Sequence, residues 1–184
     1  IPRFDKSLQG GKGDRIPKKL WPRVHGTVDI IILEGWNVGE RPIAKEELTV
    51  PLNDLERQDD QDMQWRLSVN EVLEKEYSQL FLLFDDLVML KIPGIDVVRE
   101  NRLLQEQKLR KKLAGEKKRS QNQGAMSGEE VLRFIMLYER WTLHMLQEMP
   151  ERASLVFEIG KNHEFLGAYQ LRQQRDTKKT CELF

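Results

Sequence analysis

The fold class follows from residues 28–36, which are Val28-Asp29-Ile30-Ile31-Ile32-Leu33-Glu34-Gly35-Trp36. Residues 28–33 are almost all β-branched or Leu, and the run is too short for a typical helix. A short apolar run that ends at an acidic residue and a glycine is typical of a parallel strand whose carboxyl end carries a function. Residues 28–33 are therefore predicted to form a buried strand.

A helix and a second strand are predicted next along the chain. Residues 65–84 carry apolar side chains at helical intervals, which indicates one amphipathic helix. Residues 87–92 form another apolar run, and Pro93-Gly94 ends it with a turn signal. The order strand, helix, strand is the repeating unit of α/β folds.

The remainder of the chain continues this alternation. Residues 95–113 have helical composition, and Ser127 with Glu130 has the spacing of a capping box for a further helix that ends near Pro150. The apolar stripe predicted for that helix consists of Val131, Ile135, Tyr138, Met145 and Met149. A strand and a short hairpin are predicted at residues 155–159 and 165–171. We therefore expect an α/β fold with a mainly parallel sheet, helices on both faces, and ligands at the carboxyl ends of the strands.

Composition narrows the class of partner. The chain has 184 residues, of which 39% are hydrophobic, and this length suits one domain. Its 30 basic and 30 acidic residues cancel, so no net field favours nucleic acid or an anionic membrane, and neither partner is expected. A single cysteine, Cys181, indicates a reducing compartment, and no segment resembles a membrane span or a signal peptide. These features predict a soluble cytoplasmic protein.

A glycine-rich segment near the beginning of the chain could bind an anion. It contains Gly10-Gly11-Lys12-Gly13 and is flanked by charged residues that could contribute to a site, namely Asp5, Lys6, Asp14 and Arg15. Backbone amides and basic side chains could hold the anion while Asp5 acts as a base. Glycine with Asp and Lys is also ordinary chemistry for a surface turn, so both interpretations stay open.

Glu34 has the position at which nucleotide-binding α/β proteins place a carboxylate toward a metal ion or an activating water. The alternative is an acidic residue that caps the following turn. Trp36, two residues later, is interpreted as a packing residue. The three histidines are scattered without ligand spacing, so they are interpreted as packed or surface residues.

The helix predicted at residues 95–113 turns basic toward its end. Their spacing puts Arg102, Glu106 and Arg110 on one face of the helix. Residues 108–119 contain seven basic residues and a single acidic one. Such a face usually solvates a helix, but its arginines could also close over transferring phosphates as a lid. A nucleic-acid interface is disfavoured because no aromatic residue interleaves with the basic run.

Several motifs together resemble a known family. They are Ile1-Pro2-Arg3-Phe4-Asp5-Lys6-Ser7, the Gly-x-Gly-Asp-Arg at 11 to 15, Ile31-Ile32-Leu33-Glu34-Gly35-Trp36 with Val38-Gly39, Arg102-Leu103-Leu104-Gln105-Glu106, Met126-Ser127, and Tyr138-Glu139-Arg140. In this order they are similar to the P-loop kinases related to bacterial D-glycerate 3-kinase and, more distantly, to uridine kinase and phosphoribulokinase. The resemblance extends over nearly the whole chain.

The resemblance implies ATP- and Mg²⁺-dependent transfer of the γ-phosphoryl group to a hydroxyl of glycerate or a similar small acid. In that case Asp5 is the base or a metal-associated carboxylate, and Glu34 takes the Walker B-like role toward the metal. Arg102 and Arg110 become lid contacts to the phosphates, with Arg102 also counted as catalytic. The residues assigned to the substrate are Lys6, Lys12, Asp14 and Arg15.

The chain departs from the family pattern in two places. No stretch matches G-x-x-x-x-G-K-[ST], so the first strand and the phosphate loop of the family are expected to be missing, and Asn101 stands where the family often has Trp. Residues 1–171 are thus predicted to be a partial kinase domain, with a lid helix and mobile loop at 95–126 and a flexible tail at 172–184. The alternative hypothesis is a catalytically impaired kinase fold that binds a metabolite or a protein. The acceptor and the oligomeric state do not follow from the sequence.

Overall fold

The computed structural model of the chain describes residues 1–5, 14–115 and 126–170. The described residues form two compact units. The first contains those of Ile1–Gly35 and Val98–Ile135, and the second contains those of Trp36–Val97 and Met136–Phe184. The loop predicted within residues 116–125 and the tail predicted at 172–184 lie outside the described residues.

A three-stranded sheet lies in the second unit, in the order β3-β4-β5, with strands β3 (Val88–Lys91), β4 (Leu155–Ile159) and β5 (Phe165–Tyr169). β3 pairs with β4 in parallel, with Val88 opposite Leu155. β4 pairs with β5 antiparallel, and the register shifts between Glu158 and Ile159. The predicted second strand and the terminal hairpin are confirmed, and so is the α/β class, here with a mixed sheet.

Three helical segments precede this sheet. Helix α1 (Asp54–Asp59) begins at Asn53, whose side-chain oxygen accepts a hydrogen bond from the Glu56 amide. Helix α2 (Gln64–Val72) continues through a π-helical segment (Leu73–Tyr77) into α3 (Ser78–Phe81). The helix predicted at residues 65–84 is therefore confirmed, whereas α1 was not expected within a polar stretch.

Two long helices each have residues in both units. They are α4 (Ile95–Gly115) and α5 (Gly128–Glu148). The predicted capping box of α5 is confirmed, because Ser127 N–H donates to Glu130 Oε2 at 2.6 Å and Glu130 N–H donates to Ser127 Oγ at 3.1 Å. A 3₁₀ turn (Met149–Glu151) follows α5 and contains Pro150. Among the described residues, no helix has the length and apolar character needed to cross a membrane.

The core of the second unit consists of two apolar clusters that both use α5. One cluster joins α5 to the sheet through Met89, Met145, Met149, Ala153 and Val156. The other contains Ile43, Leu48, Leu73 and Trp141. Four residues of the predicted stripe are buried, and Trp141, which is 3% exposed, is an additional core residue that the prediction missed.

The first unit begins with a small ribbon of two strands. β1 (Phe4–Asp5) pairs antiparallel with β2 (Asp14–Arg15). A 3₁₀ turn (Lys18–Leu20) follows, and the amino group of Ile1 donates to the Pro22 carbonyl at 2.8 Å. This ribbon fixes the backbone positions of three candidate site residues, Asp5, Asp14 and Arg15.

The prediction of a buried strand at residues 28–33 was wrong for this structure. The segment has no strand assignment, and Ile30, Ile31 and Ile32 are 79%, 83% and 86% exposed. A β-strand forms only when a neighbouring strand accepts its backbone hydrogen bonds, and no described strand pairs with this segment. The apolar pattern was identified correctly, but the pairing that would bury it is not formed among residues 1–5, 14–115 and 126–170.

Candidate functional site

The β1–β2 ribbon brings two of the candidate carboxylates together. Asp5 lies directly opposite Asp14 in the antiparallel register, and Phe4 lies opposite Arg15. Side chains at opposed positions have Cβ atoms within about 5.5 Å, so the two acids share one small region. The Arg15 N–H donates to Asp14 Oδ1 at 2.7 Å, and the Asp14 and Arg15 residues are exposed. The candidate substrate residues Lys6 and Lys12 lie outside the described residues.

Glu34 belongs to the same unit as this ribbon, but its side chain is exposed at the end of the unpaired apolar segment. The described part of the chain contains no group of three or more His, Cys, Asp or Glu residues that could hold a metal ion. The donor chemistry nevertheless suits Mg²⁺, which commonly takes one or two carboxylates and completes its shell with phosphate and water oxygens. Asp5 and Glu34 provide that type of ligand.

The two candidate lid arginines on α4 both form contacts with other residues of the first unit. Arg102 forms an ion pair with Glu106 at 2.6 Å, donates to Gln105 Oε1 at 2.8 Å, and lies 5.8 Å from the centroid of the Phe134 ring. Arg110 donates to the backbone carbonyl of Met126. The Arg110 contact lies just before α5, whereas the ion pair and hydrogen bond of Arg102 are made within α4, so both arginines have a structural role beside the predicted one.

A small open groove with a volume of about 90 Å³ lies between α4 and the beginning of α5 in the first unit. Its lining combines one charged face of α4 with apolar side chains, and it consists of Leu103, Glu106, Gln107, Arg110, Met126, Gly128 and Val131. Glu106 is 5% exposed and its Oε2 accepts a hydrogen bond from the Met126 amide at 3.1 Å. This hydrogen bond links α4 to the residues just before α5 at the groove. Among the lining residues, Arg110 is the one that was predicted to contact phosphate.

The chain directly after Glu34 is held by an aromatic pair. The Trp36 ring stacks on Tyr138, with centroids 5.1 Å apart and planes 17° apart, and its Nε1–H donates to Thr142 Oγ1 at 3.1 Å. The interpretation of Trp36 as a packing residue is confirmed. Tyr138 and Thr142 lie on α5, so this helix anchors the loop that follows the candidate metal ligand.

A buried polar frame fixes the segment between this loop and α2. Arg66 pairs with Asp60 at 2.8 Å and donates to the Leu48 carbonyl at 2.7 Å, and the Arg66 and Asp60 side chains are 1% and 3% exposed. Asn70 both donates to the Ile43 carbonyl and accepts from the Ile43 amide, at 2.9 and 2.7 Å. These hydrogen bonds explain how a polar stretch is ordered without strands.

The frame extends to α5 through a second buried ion pair. Arg140 binds both carboxylate oxygens of Glu56, and Asn53 donates to Glu139 Oε2 at 3.1 Å. Burial alone would raise the pKa of Glu56, but the hydrogen bonds from Arg140 and from the Leu52 amide outweigh it and lower that pKa. Sequence analysis assigned none of these residues to a site. The family motif quoted from the sequence contains Glu139 and Arg140, but neither residue was given a role.

Relatives of known description match this chain over most of its length. It is 30% identical over 138 residues to the chloroplastic D-glycerate 3-kinase of Arabidopsis thaliana. The matched region covers 75% of this chain and 26% of that protein. It is 33% identical over 140 residues to the uncharacterized kinase mug58 of Schizosaccharomyces pombe. The matched region covers 75% of this chain and 46% of that protein. The chain thus spans less than half the length of either relative. No protein-family model matches it.

Solved structures show the same relationship in three dimensions. The D-glycerate 3-kinase of Cryptococcus neoformans superposes with a TM-score of 0.67 at 26% identity, covering 93% of this chain and 59% of that one. The YGR205w protein superposes with a TM-score of 0.61 at 27% identity, covering 92% of this chain and 56% of that one. The chain is therefore related in sequence and in fold to part of these proteins, and the resemblance to D-glycerate 3-kinase-like proteins that its motifs predicted is confirmed.

Proposed function

We propose that this chain is part of an ATP-dependent cytoplasmic kinase that transfers a phosphoryl group to a hydroxyl of glycerate or a similar small acid. The observation that carries the proposal is the fold match to the Cryptococcus neoformans D-glycerate 3-kinase, which extends over 93% of this chain at a TM-score of 0.67. The chain spans 59% of that protein. The activity is therefore proposed for the polypeptide that supplies the rest of the kinase fold as well.

Asp5 is the residue proposed to act as the base. Its place on β1, opposite Asp14 in the antiparallel register, sets two acidic residues side by side. A carboxylate in this position can accept the proton of the acceptor hydroxyl as the oxygen attacks phosphorus. Arg15 is one residue beyond Asp14, and its guanidinium has the fork geometry that binds a substrate carboxylate through two hydrogen bonds.

Glu34 is proposed as the second acidic ligand beside Asp5. When bound, Mg²⁺ supplies charge neutralisation between the phosphates of ATP. The contribution of this chain is to hold a carboxylate at the end of residues 28–33 and to anchor the chain beyond it through Trp36. Lys6 and Lys12 are proposed as further contacts to the acidic substrate.

Arg102 and Arg110 are proposed to contact the phosphates after exchanging their present partners. Arg102 would leave Glu106 and Gln105, and Arg110 would leave the Met126 carbonyl. Charge-assisted hydrogen bonds to phosphate are stronger than neutral ones, so this exchange is energetically reasonable when ATP is bound. The proposal thus gives α4 two states with different arginine partners.

The test compares the product of the whole gene with the 184-residue chain in an assay of ADP release with ATP, Mg²⁺ and D-glycerate. Asp5→Asn and Glu34→Gln in the whole product are each expected to lower kcat by roughly a hundred- to ten-thousand-fold. Asp29→Asn is the matched control, because Asp29 is an exposed acid five positions before Glu34 with no proposed role. It should retain the wild-type rate.

The outcomes separate the kinase from the alternative. Activity in the whole product that disappears in Asp5→Asn and persists in Asp29→Asn supports the proposal. Failure of the whole product with glycerate and with other small hydroxy acids would overturn it. In that event, binding of the same acids without turnover, measured by calorimetry, would identify the chain as a metabolite-binding relative of the kinases.

A further inference from the structure

The loop at residues 36–40 is fastened to α5 and to the turn that follows it at two points. The first is the Trp36 side chain, which contacts Tyr138 and Thr142. The second is the Gly39 carbonyl, which accepts a hydrogen bond from Arg152. Both attachments lie within the second unit, so they fix the loop against that unit.

Glu40 closes the loop with a buried carboxyl group. The residue is 3% exposed, and its Oε2 accepts a hydrogen bond from Asn37 Nδ2 at 2.5 Å. Its Oε1 is also buried and has no hydrogen-bond partner among the described residues. A buried carboxylate oxygen without a donor costs substantial free energy, whereas a neutral carboxyl group in the same place costs much less.

The charged groups that face Glu40 do not compensate for this burial. From the end of α5 it faces Glu148, and from the turn beyond it faces Arg152. Arg152 is already committed, since it donates to both Glu148 carboxylate oxygens at 2.5 Å and to the Gly39 carbonyl. Two carboxylates therefore share one guanidinium, and the geometry favours one of them only.

The protonation behaviour of Glu40 agrees with this geometry. Burial, which is the largest effect, together with the nearby Glu148 charge raises the pKa of Glu40 to about 7, against the lowering effects of Asn37 and Arg152. In the unfolded chain the group has its ordinary value of 4.5. The folded loop therefore binds a proton that the unfolded loop releases between these two values.

We propose that Glu40 is a proton-dependent positioning residue, which holds the loop at residues 36–40 against the end of α5 while its carboxyl group is protonated and loosens it when the group ionises. This attachment of the loop does not depend on the proposed kinase function. Below pH 7 the protonated Glu40 helps to hold the loop, and above about pH 7 the loop keeps its Trp36 and Arg152 contacts without that contribution.

The sign of the pH effect follows from linkage. Because the pKa is raised in the folded state, the stabilisation is fully present below the unfolded value of 4.5 and is lost as pH rises to about 7. The opening equilibrium of the loop should increase about tenfold per pH unit within this window and level off above it, as expected for one proton.

The proposal is tested by hydrogen exchange of the backbone amides of residues 36–40. The exchange is measured by mass spectrometry on the 184-residue chain from pH 4.5 to 8 and is corrected for intrinsic rates. The wild-type chain should show the increase in opening, and Glu40→Gln should show none, because a neutral amide of the same shape stays buried at every pH. Glu46→Gln is the control, since Glu46 is an exposed acid in the following segment, and it should behave like the wild type.

A Glu40→Gln variant with the same pH dependence of opening as the wild type would overturn the proposal. So would a Glu40 carboxyl carbon that titrates near its ordinary pKa when it is followed by NMR in the folded chain. The second measurement needs no substitution, so the proposal can fail even if the variant does not fold. Neither readout involves phosphoryl transfer, so an inactive kinase would leave the result unaffected.

Discussion

Arg140 donates two hydrogen bonds to Glu56, from Nε to Oε1 at 2.8 Å and from Nη2 to Oε2 at 2.5 Å. The Arg140 and Glu56 side chains are 10% and 1% exposed. Arg140 Nη1 also donates to the Glu47 carbonyl at 3.0 Å, and Nη2 donates to the Val50 carbonyl at 2.6 Å. One side chain of α5 thus holds both α1 and the irregular segment before it.

Substituting Arg140→Met should destabilise the chain by about 3–5 kcal/mol, because it leaves the buried Glu56 carboxylate without its cationic partner. The free energy of unfolding from urea denaturation is the measurement. Arg57→Met is the matched control, since the Arg57–Asp54 pair is 51% and 63% exposed and should contribute no more than about 1 kcal/mol. Equal losses in the two variants would contradict a structural role for the buried pair.

The same carboxylate predicts how stability responds to acid. The pKa of Glu56 is lower in the folded state than its ordinary value of 4.5, so its contribution is present above that value and is lost as pH falls through the folded pKa. Urea midpoints measured from pH 6 to pH 3 should therefore fall in the wild type. Glu56→Gln should be less stable at pH 6 and should show a shallower decline, and a decline of unchanged steepness would refute this assignment.

Gly39 is predicted to be intolerant of substitution for two separate reasons. Its φ is +79°, and a Cβ atom added there would lie 2.8 Å from Leu87 Cδ1. Gly39→Ala should cost about 2–4 kcal/mol, as the sum of left-handed backbone strain and overpacking. Gly26→Ala is the control, because Gly26 has a φ of +94° with nothing within 4 Å of an added Cβ, and it should cost about 1–2 kcal/mol. Thermal denaturation of both variants measures the difference.

The exposed apolar run at residues 30–33 should be an aggregation site. Ile31→Lys is expected to change the free energy of unfolding by less than about 0.5 kcal/mol, because Ile31 is 83% exposed, while lowering light scattering at high protein concentration. Ile135→Lys is the contrasting variant, since Ile135 is 0% exposed and the substitution should prevent folding. Strong destabilisation by Ile31→Lys would show that the run is buried in solution.

The elements that sequence analysis predicted well are those with a local physical signal. The capping box of Ser127 and Glu130 lies within four residues, and the period of α5 identifies Val131 and Ile135 as core. β3, β4 and the β4–β5 hairpin were also predicted from short apolar runs and turn residues. In each case the residues that form the element are close together in the chain.

The buried polar frame could not be predicted in this way. Glu56 and Arg140 are 84 positions apart, and Glu56 lies in a stretch that is rich in charged residues and typical of a surface. Nothing local distinguishes a buried Arg from an exposed one, because burial depends on which acid or carbonyl the fold brings to it. The strand prediction at residues 28–33 failed for the related reason that a local pattern does not supply its pairing partner.

The roles assigned to the candidate site residues remain predictions. The register that sets Asp5 opposite Asp14 agrees with their assignment to one site, although neither role is tested by it. Glu40 was missed because a lone Glu after a glycine is typical of an exposed loop. Its burial depends on the end of α5, which lies more than a hundred positions further along the chain, as the 113-residue interval between Gly39 and Arg152 shows.

The parallel pairing of β3 with β4 has a consequence for how the chain is made. Val88 is opposite Leu155, so β3 has no partner until 67 further residues have been synthesised. At typical translation rates this interval lasts roughly 3–13 s. The β4–β5 hairpin needs only a short turn and can close within microseconds of its emergence. When the complete chain refolds, all three strands are present from the start, so the local hairpin is expected to close before β3 pairs across the long intervening segment.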